Sequence, residues 1–415
     1  MEDSNFRYLP FCTNSSIRTI NVAPECADDP SLRCRLIVRE LDQTDNCPQP
    51  SSTQRTTNQS VDNALGYVAL SYVWGDVSNP KTITLDDKPC LVGSSLHEAL
   101  VRFRRAVAQA VFPPQPLWVD AICINQADIA ERESQVRLMG RIYEQADFVV
   151  VDLGRSLATS KTLADFHDFV SQLNERHQPA TPESLYDPYV YIPFSSYELG
   201  ISPPTEDTTK AILSIFFTKY FTRAWVRQEF TLAKDAYFMS GELVIGHTSL
   251  WNIVQILINW IDMNGDFAHA RIALNGANEY DDTLLQSISQ GLMSLFKQRA
   301  VRLENLDSRK KSLLSNIKLA RPSIATDLRD KIYSLIGLSS DGEGFLQEIN
   351  YRESVESVYR QFARRFVENG QTMELLYQAD SRISPSLPLP SWIPVSAPRC
   401  CVTSAKSLII NSLQD

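Results

Sequence analysis

The chain has 415 residues, which is enough for one large hydrophobic core or for two cores of ordinary size. Its 40 basic and 49 acidic residues give a formal net charge of −9 without a long basic cluster, which argues against nucleic acid and against an anionic membrane surface as partners. Eight cysteines occur without CxxC pairs or a Cys/His ligand spacing, so the sequence predicts free thiols and no metal site. The start of the chain lacks the basic and apolar segments of a signal peptide, and its apolar stretches are too short to cross a bilayer, so we expect a cytoplasmic protein.

Two strand-like pieces, Ile17 to Val22 and Leu36 to Val38, precede a tract rich in Ser, Thr, Asn and Pro. We expect residues 1–60 to pack on the main domain, with the polar tract as a surface loop. The next strand, 67–72, is nearly continuous in apolar residues, which is typical of a strand buried on both faces. It ends in a turn where Gly75 allows a tight change of direction at the edge of the sheet.

The stretch 117–154 is predicted as one strand–helix–strand unit. An apolar run, Leu117 to Ile122, suits a buried strand, and Asp128 stands at the N-cap position of a helix that extends to Asp147. A second apolar run at 148–153 provides the returning strand. Such units have right-handed crossovers and place their two strands parallel, so the sequence predicts an α/β fold with a mainly parallel sheet flanked by helices.

The rest of the chain divides into a long insertion and a helical region. Residues 177–204 are rich in Pro, Tyr and Ser without a regular period, so we expect this insertion to be an irregular lid near the site. A helix begins near Arg223, and helical apolar spacing recurs beyond Ser249. We therefore predict an α/β domain at 61–240 and an additional, mostly helical C-terminal region at 241–415.

Carboxylates are the main candidates for catalysis, because the motifs of phosphate-binding loops, serine hydrolases and zinc hydrolases are absent and the five histidines are scattered. Trp225 lies four residues before Glu229 and therefore on the same helical face. An indole that excludes water tends to raise the pKa of a neighbouring carboxylate and strengthens its interaction with a cationic transition state. The alternative is a structural glutamate paired with Arg223 or Arg227, and the spacing leaves both interpretations open.

Other polar residues fall at the predicted carboxyl ends of the parallel strands, where ligands bind in such sheets. An acid there hydrogen-bonds a ribose or caps a following helix, and both roles stay open for Asp76 and Asp120. Tyr72 and Trp74 have the shape to stack on a base or to pack in the core. The same edge is expected to carry Asn125, Gln126 and Asp152.

Three stretches together resemble the heterokaryon incompatibility (HET) domain of filamentous fungi. They are Tyr67-Val-Ala-Leu-Ser-Tyr-Val-Trp-Gly-Asp76, Leu117-Trp-Val-Asp-Ala-Ile-Cys-Ile-Asn-Gln126 with the helix that follows, and Phe221-Thr-Arg-Ala-Trp-Val-Arg-Gln-Glu229. The resemblance covers roughly residues 17 to 240, and the stretches 325–333 and 389–394 are similar to segments that often follow the domain. Asp152 departs from the family, which usually has tryptophan there, and Val395-Ser396 replaces the usual Asp-Trp.

The HET family is regarded as a relative of the Toll/interleukin-1 receptor (TIR) fold, so the resemblance implies a TIR-like, flavodoxin-like parallel sheet. TIR enzymes that cleave NAD carry their catalytic glutamate in a Trp-x-x-x-Glu context, and Glu229 is the matching position. The resemblance thus implies that Glu229 stabilises the oxocarbenium-like transition state as the nicotinamide glycosidic bond breaks, with NAD as substrate and no further cofactor. The predicted substrate-binding residues are Ser71, Tyr72, Trp74, Gly75, Asp76, Asp120, Asn125, Gln126, Arg223 and Trp225.

The family triggers programmed cell death when incompatible fungal cells fuse, and depletion of NAD is a physical route to that outcome. Two other functions stay open on the sequence alone. The same sheet can act as a non-enzymatic signalling module that assembles with copies of itself and passes the signal to a recognition partner. It can also bind NAD or a related nucleotide as a regulator of cell death without cleaving it.

Overall fold

The computed structural model of the chain describes residues 6–11, 13–26, 31–41, 66–75, 78–154, 160–176, 205, 207–208, 215, 218–254, 282–303, 311–378, 389 and 393. The chain forms two compact units: the first unit contains Met1–Ser156 and Leu232–His247, and the second unit contains Leu157–Thr231 and Thr248–Asp415. The predicted insertion at 177–204 lies outside the described residues, as do Asp76 and Val395-Ser396. Within the described ranges, every helix is too short or too polar to span a lipid bilayer.

The described part of the first unit is built on one sheet of nine strands. The strands are β1 (Ser16–Val22), β2 (Arg33–Glu40), β3 (Val68–Tyr72), β4 (Lys81–Leu85), β5 (Lys88–Val92), β6 (Leu117–Trp118), β7 (Phe148–Asp152), β8 (Ala236–Ser240) and β9 (Leu243–Gly246). Their order across the sheet is β5-β4-β2-β1-β6-β3-β7-β8-β9.

This sheet is mixed, so the prediction of a mainly parallel sheet is wrong. The parallel pairs are β2–β4, β3–β6, β3–β7 and β7–β8, and the other four neighbouring pairs are antiparallel. The reason is local, because two-residue turns join β4 to β5 and β8 to β9, and so short a connection permits only antiparallel pairing. The N-terminal pair β1–β2 adds a further antiparallel ladder.

The centre of the sheet follows the prediction closely. The three expected strands are neighbours, because β3 lies between β6 and β7 and runs parallel to both. Three helices lie among the described residues of this unit: α1 (Ser94–Ala108), α2 (Asp120–Cys123) and α3 (Ile129–Gln145). Asp128 caps α3 as predicted, since its side chain accepts hydrogen bonds from the N–H groups of Ala130 and Glu131. Tyr143 of α3 meets Trp118 of β6 edge to face, with ring centroids 5.4 Å apart.

The predicted strand 117–122 is wrong in its second half. It ends at Trp118, and α2 follows immediately as one short helical turn. Local hydrogen bonds explain the difference: the Cys123 N–H donates to the Val119 carbonyl at 2.8 Å, and the Val119 N–H donates back to Cys123 Sγ at 3.4 Å. These bonds turn the backbone out of the sheet, although the residues are apolar enough for a strand.

The second unit is helical in its described part. Its helices are α4 (Ser160–Arg176), α5 (Val226–Thr231), α6 (Asp282–Leu303), α7 (Leu313–Leu319), α8 (Asp330–Ile336), α9 (Val355–Glu368) and α10 (Thr372–Gln378), with 3-10 turns at Lys219–Thr222 and Gly342–Glu348. Phe362 of α9 stacks on Phe345 with ring centroids 5.5 Å apart, and Phe366 packs on the same ring at 5.3 Å. Aromatic contacts of this kind hold the short helices around a common core.

Gly75 provides a test of how the turn after β3 packs on α1. Its φ is +66°, and an added Cβ would lie 2.0 Å from Ser95 Oγ, so Gly75→Ala combines left-handed strain with a clash. We expect the free energy of unfolding to fall by about 2–3 kcal/mol, measured by urea denaturation. Gly154→Ala is the matched control, because Gly154 has φ +90° with nothing within 4 Å and should lose only the strain part. Equal losses from the two variants would contradict the close approach to Ser95.

Candidate functional site

The carboxyl end of β3 is buried, and the turn that follows it reaches the surface. Ser71 and Tyr72 are 1 % and 4 % exposed, and their backbones pair with Val151 and Asp152 of β7. Trp74, two residues beyond the strand, is 40 % exposed. The strand end therefore belongs to the core of the first unit, while the indole of Trp74 presents an accessible aromatic surface.

The indole of Trp74 is hydrogen-bonded to a segment, residues 119–126, that we call the elbow. Trp74 Nε1 donates a hydrogen bond to Asp120 Oδ2 at 2.9 Å, and Gln126 Nε2 donates to the Asp120 carbonyl oxygen at 2.9 Å. The second carboxylate oxygen of Asp120 accepts from the N–H of the next residue, Ala121, at 2.7 Å. Three of the predicted substrate-binding residues, Trp74, Asp120 and Gln126, are thus connected at the carboxyl edge of the sheet.

Asn125 is engaged in holding the elbow to α3. Its N–H donates to Glu131 Oε1 at 2.7 Å, and its side-chain Oδ1 accepts from the Ala127 N–H at 3.3 Å. Glu131 also forms an ion pair with Arg18 of β1 at 2.5 Å, and the Arg18 side chain is fully buried. Arg18 is not among the residues predicted from the sequence, and its strand, Ser-Ile-Arg-Thr-Ile-Asn-Val, contains too many polar residues to indicate that the arginine is buried.

Asp152, at the carboxyl end of β7, is bound by an arginine of α1. Arg102 Nε and one of its terminal nitrogens each donate to the carboxylate at 2.7 Å, and Arg102 also reaches Glu98 at 3.4 Å. Burial raises the pKa of Asp152, and the hydrogen bond and charge of Arg102 act against that increase. This geometry gives Asp152 a structural partner from α1, and the bidentate pair fixes the end of β7 against that helix.

Trp225 and Glu229 occupy successive turns of the helical segment that contains α5. The Glu229 N–H donates to the Trp225 carbonyl at 3.1 Å, which confirms the predicted helical spacing. Glu229 is 3 % exposed, and every residue of α5 is buried. Just before them, Arg223 forms an isolated parallel bridge with Ile324, and the Ala224 N–H donates to the Ile324 carbonyl at 2.9 Å. The start of this segment is therefore fixed to the loop before α8.

Arg227 is a buried arginine whose described acceptors are all neutral. Its Nε donates to Ser323 Oγ at 2.5 Å, and its terminal nitrogens donate to Gln298 Oε1 at 3.2 Å and Ser294 Oγ at 2.6 Å. Burial lowers the pKa of Arg227 to about 9. The pairing of Glu229 with Arg227, one of the two structural alternatives, is therefore not the arrangement found among the described residues.

A second buried cation, Lys331 of α8, lies in the same region of the second unit. Its residue is 6 % exposed, and burial together with the positive charge of Arg227 lowers the pKa of Lys331 to about 8. Lys331 belongs to the stretch 325–333, in which Arg329 pairs with Asp327 at 2.6 Å and donates to the Tyr351 carbonyl at 2.8 Å. The sequence indicates Arg227 only as a possible partner of Glu229 and gives no sign of Lys331, because lysine and arginine are normally assigned to the surface.

The candidate residues fall into two clusters, one in each unit. The first contains Trp74, Asp120 and Gln126, and the second contains Trp225 and Glu229. The predicted substrate-binding residues include members of both clusters, and that joint role stays a prediction. Among the described residues, no group of three His, Cys, Asp or Glu side chains is placed to hold a metal ion.

Comparison with known proteins identifies one family. The family model described as "Heterokaryon incompatibility protein (HET)" matches residues 67–229, a range that begins at the residue before β3 and ends at the candidate carboxylate of α5. A Neurospora crassa protein, "Heterokaryon incompatibility protein 6, OR allele", is 28 % identical over 383 residues, which cover 79 % of this chain and 53 % of the relative. The chain thus spans about half the length of that curated relative. No solved structure shows significant similarity.

The buried ammonium of Lys331 predicts a pH-dependent difference in stability between the parent protein and Lys331→Met. The pKa of Lys331 is about 8 in the folded protein against 10.5 for an ordinary lysine, so between these pH values the unfolded chain binds more protons than the folded one. Stability that depends on this group therefore rises with pH across that window. Across this window we expect the free energy of unfolding of the parent to rise by about 2–3 kcal/mol relative to that of Lys331→Met, measured by urea denaturation at each pH. Because tyrosines and cysteines titrate in both proteins, only the difference between their free energies of unfolding is informative. If that difference did not change with pH, the burial of the Lys331 charge would be contradicted.

Proposed function

Because residues 67–229 are a heterokaryon incompatibility (HET) domain, we propose that the protein acts in heterokaryon incompatibility and triggers programmed cell death by cleaving the nicotinamide glycosidic bond of NAD. The observation that carries the proposal is the Trp225-x-x-x-Glu229 turn, which places a buried carboxylate one helical turn from an indole at the end of the matched range. This is the local arrangement in which NAD-cleaving TIR enzymes carry their catalytic glutamate.

A TIR-like fold is part of the same proposal, and the strand order supports it. The strands β3, β6, β7 and β8 run parallel to their neighbours within this set, and they lie in the order β6-β3-β7-β8. Counted along the chain, this order corresponds to the first four strands of a flavodoxin-like sheet. The antiparallel strands are then additions at the two sides of this parallel centre.

In the proposed reaction the bond between the ribose and the nicotinamide nitrogen breaks, and its electron pair leaves with nicotinamide. The ribose carbon becomes cationic, and the carboxylate of Glu229 stabilises that charge until water or a ribose hydroxyl adds to it and releases its proton to the solvent. A buried carboxylate interacts with the developing cation more strongly than an exposed one, because the surrounding medium screens the charges less. No proton has to be removed from the substrate before the bond breaks.

The low exposure of Glu229 adds a requirement to the proposal. A carboxylate that is 3 % exposed has no surface to offer a dinucleotide, so α5 must become accessible before the reaction can occur. An activating partner or self-assembly would act at this step. A protein that kills its own cell needs such a resting state, since free turnover of NAD would be lethal without a trigger.

The first unit supplies the proposed nucleotide-binding edge. The 40 % exposed indole of Trp74 offers a face for stacking on a base, and its N–H already fixes the ring through Asp120. The carboxylate of Asp120 can also accept from a ribose hydroxyl, as acids at the ends of parallel strands do.

Glu229→Gln tests the catalytic assignment. The substitution keeps the size of the side chain and removes the charge that stabilises the oxocarbenium ion, so release of nicotinamide should fall by at least about 100-fold. Purified parent and variant are incubated with NAD at low and at high protein concentration, and free nicotinamide is quantified by chromatography. The melting temperature should stay close to that of the parent, because glutamine keeps the size and most of the hydrogen bonding of glutamate.

Glu356→Gln is the matched control, since Glu356 forms an exposed i,i+4 pair with Arg360 on α9 and should change neither activity nor melting temperature. A folded Glu229→Gln protein that cleaves NAD at the parent rate would end the catalytic assignment. If the parent binds NAD without releasing nicotinamide, the protein is a nucleotide-binding regulator. If it neither binds nor cleaves NAD but assembles at high concentration, the non-enzymatic signalling module is correct.

A further inference from the structure

We propose that Arg18 is the positioning residue of the elbow, and that residues 6–11, the N-terminal strap, complete its site and thereby set the affinity of the elbow for a nucleotide. The nucleotide part of this inference rests on the proposed function. The mechanical part, that the strap holds the elbow in place, stands on contacts within the first unit alone.

Arg18 joins three separate segments through one fully buried side chain. One terminal nitrogen donates to the Cys123 carbonyl of the elbow at 3.2 Å and to Glu131 Oε1 of α3 at 2.5 Å. The other donates to Glu131 Oε2 at 3.1 Å and to the Leu9 carbonyl of the strap at 2.5 Å. The planar guanidinium is suited to this task, because its donors point in fixed directions toward several acceptors at once.

The strap encloses the guanidinium with aromatic rings. The central carbon of the Arg18 guanidinium lies 4.0 Å from the ring centroid of Phe11 and 4.8 Å from that of Tyr8. Phe6 supports Tyr8 from the side, with ring centroids 4.9 Å apart. These rings exclude water from the ion pair and add cation–π attraction, which strengthens every hydrogen bond that Arg18 makes.

The elbow needs these donors because α2 is only four residues long. The last carbonyl groups of any helix lack partners inside the helix, and a buried carbonyl without a donor is costly. The strap and Arg18 provide the two donors: Tyr8 Oη donates to the Ile122 carbonyl at 2.8 Å, and Arg18 donates to the Cys123 carbonyl. Ile122 and Cys123 are 1 % and 0 % exposed, so water has little access to replace either donor.

The same contacts fix the residues that face the proposed ligand. The Ile124 N–H and Gln126 Nε2 both donate to the Asp120 carbonyl, and the Asn125 N–H donates to the carboxylate of Glu131 that Arg18 holds. Displacement of α2 would therefore move the Asp120 carboxylate away from Trp74 and disconnect the elbow from α3. The strap acts on the nucleotide edge through Arg18 without having to touch a ligand itself.

Tyr8→Phe tests the inference, and Tyr67→Phe is its matched control. Each variant removes one phenolic hydroxyl that donates to a backbone carbonyl in the first unit, Tyr8 to Ile122 at 2.8 Å and Tyr67 to Ile142 at 2.6 Å. Both variants are made in the full chain carrying Glu229→Gln, so that NAD binds without turnover. Hydrogen exchange of the amides in the elbow and calorimetric titration with NAD are the two measurements.

We expect Tyr8→Phe to raise the exchange rate of the Cys123, Ile124 and Asn125 amides about fivefold and to weaken NAD binding by a similar factor, which corresponds to the loss of one hydrogen bond. Tyr67→Phe should lower the melting temperature with no selective effect on the elbow or on NAD binding. Arg18→Lys, which keeps the charge but loses the planar set of donors, should give a larger effect of the same kind as Tyr8→Phe.

Unchanged elbow exchange in Tyr8→Phe and Arg18→Lys would overturn the inference, as would an equal increase in Tyr67→Phe. Faster elbow exchange with unchanged NAD affinity would overturn the positioning role and leave the proposed function intact. If the background protein does not bind NAD at all, the proposed function fails and the nucleotide part of the inference fails with it, whereas the exchange rates alone decide whether the strap holds the elbow.

Discussion

The ion pair between Arg18 and Glu131 is the interaction on which the described carboxyl edge of the sheet depends. Its side chains are 0 % and 10 % exposed, so water solvates neither charge well. A pair of this kind adds little net stability compared with apolar residues of equal volume, but removal of one partner leaves a buried charge that costs about 3–5 kcal/mol. The pair therefore fixes the position of β1, α3 and the elbow relative to one another more than it stabilises the fold.

The buried arginine of the second unit, Arg227, is bound by neutral groups instead of a carboxylate. Arg227 is held by Ser294, Gln298 and Ser323, and dipoles compensate a positive charge less completely than a carboxylate does. Burial lowers the pKa of Arg227, and burial together with the charge of Arg227 lowers the pKa of Lys331. The short helix that carries Glu229 thus also carries a buried arginine whose described acceptors are neutral, while the elbow is held by a buried ion pair. This difference agrees with the proposal that the helix of Glu229 opens while the proposed nucleotide edge stays fixed.

The sequence is sufficient to predict β3, β7 and α3, because continuous apolar runs and a capped amphipathic period each have one structural solution in an α/β unit. It also predicts the helical relation of Trp225 to Glu229. It fails where a pattern has two solutions: the apolar run from Leu117 fits a strand or a short helix, and local hydrogen bonds decide between them. The buried roles of Arg18 and Arg227 are hidden for a different reason, since a charge enters the core only when partners distant in the chain are already in place there. The small hairpin of β4 and β5 can be read from the sequence, but the antiparallel pairing of β1 with β6 joins segments about 100 residues apart and has no local signal.

The strands that end the described sheet restrict how copies of this protein can meet. β5 begins with Lys88 and Pro89, which place a charge and a residue without an N–H donor on one outermost strand, and β9 at the other side is only four residues long. Native sheets avoid growing into fibrils by having edge strands that are charged, contain proline or are very short. Polymerisation by strand addition is therefore disfavoured at both margins of the described sheet, which favours helix faces and loops for contacts between copies. Such an assembly can dissociate again, whereas a cross-β polymer is so stable that the signal it carries would persist.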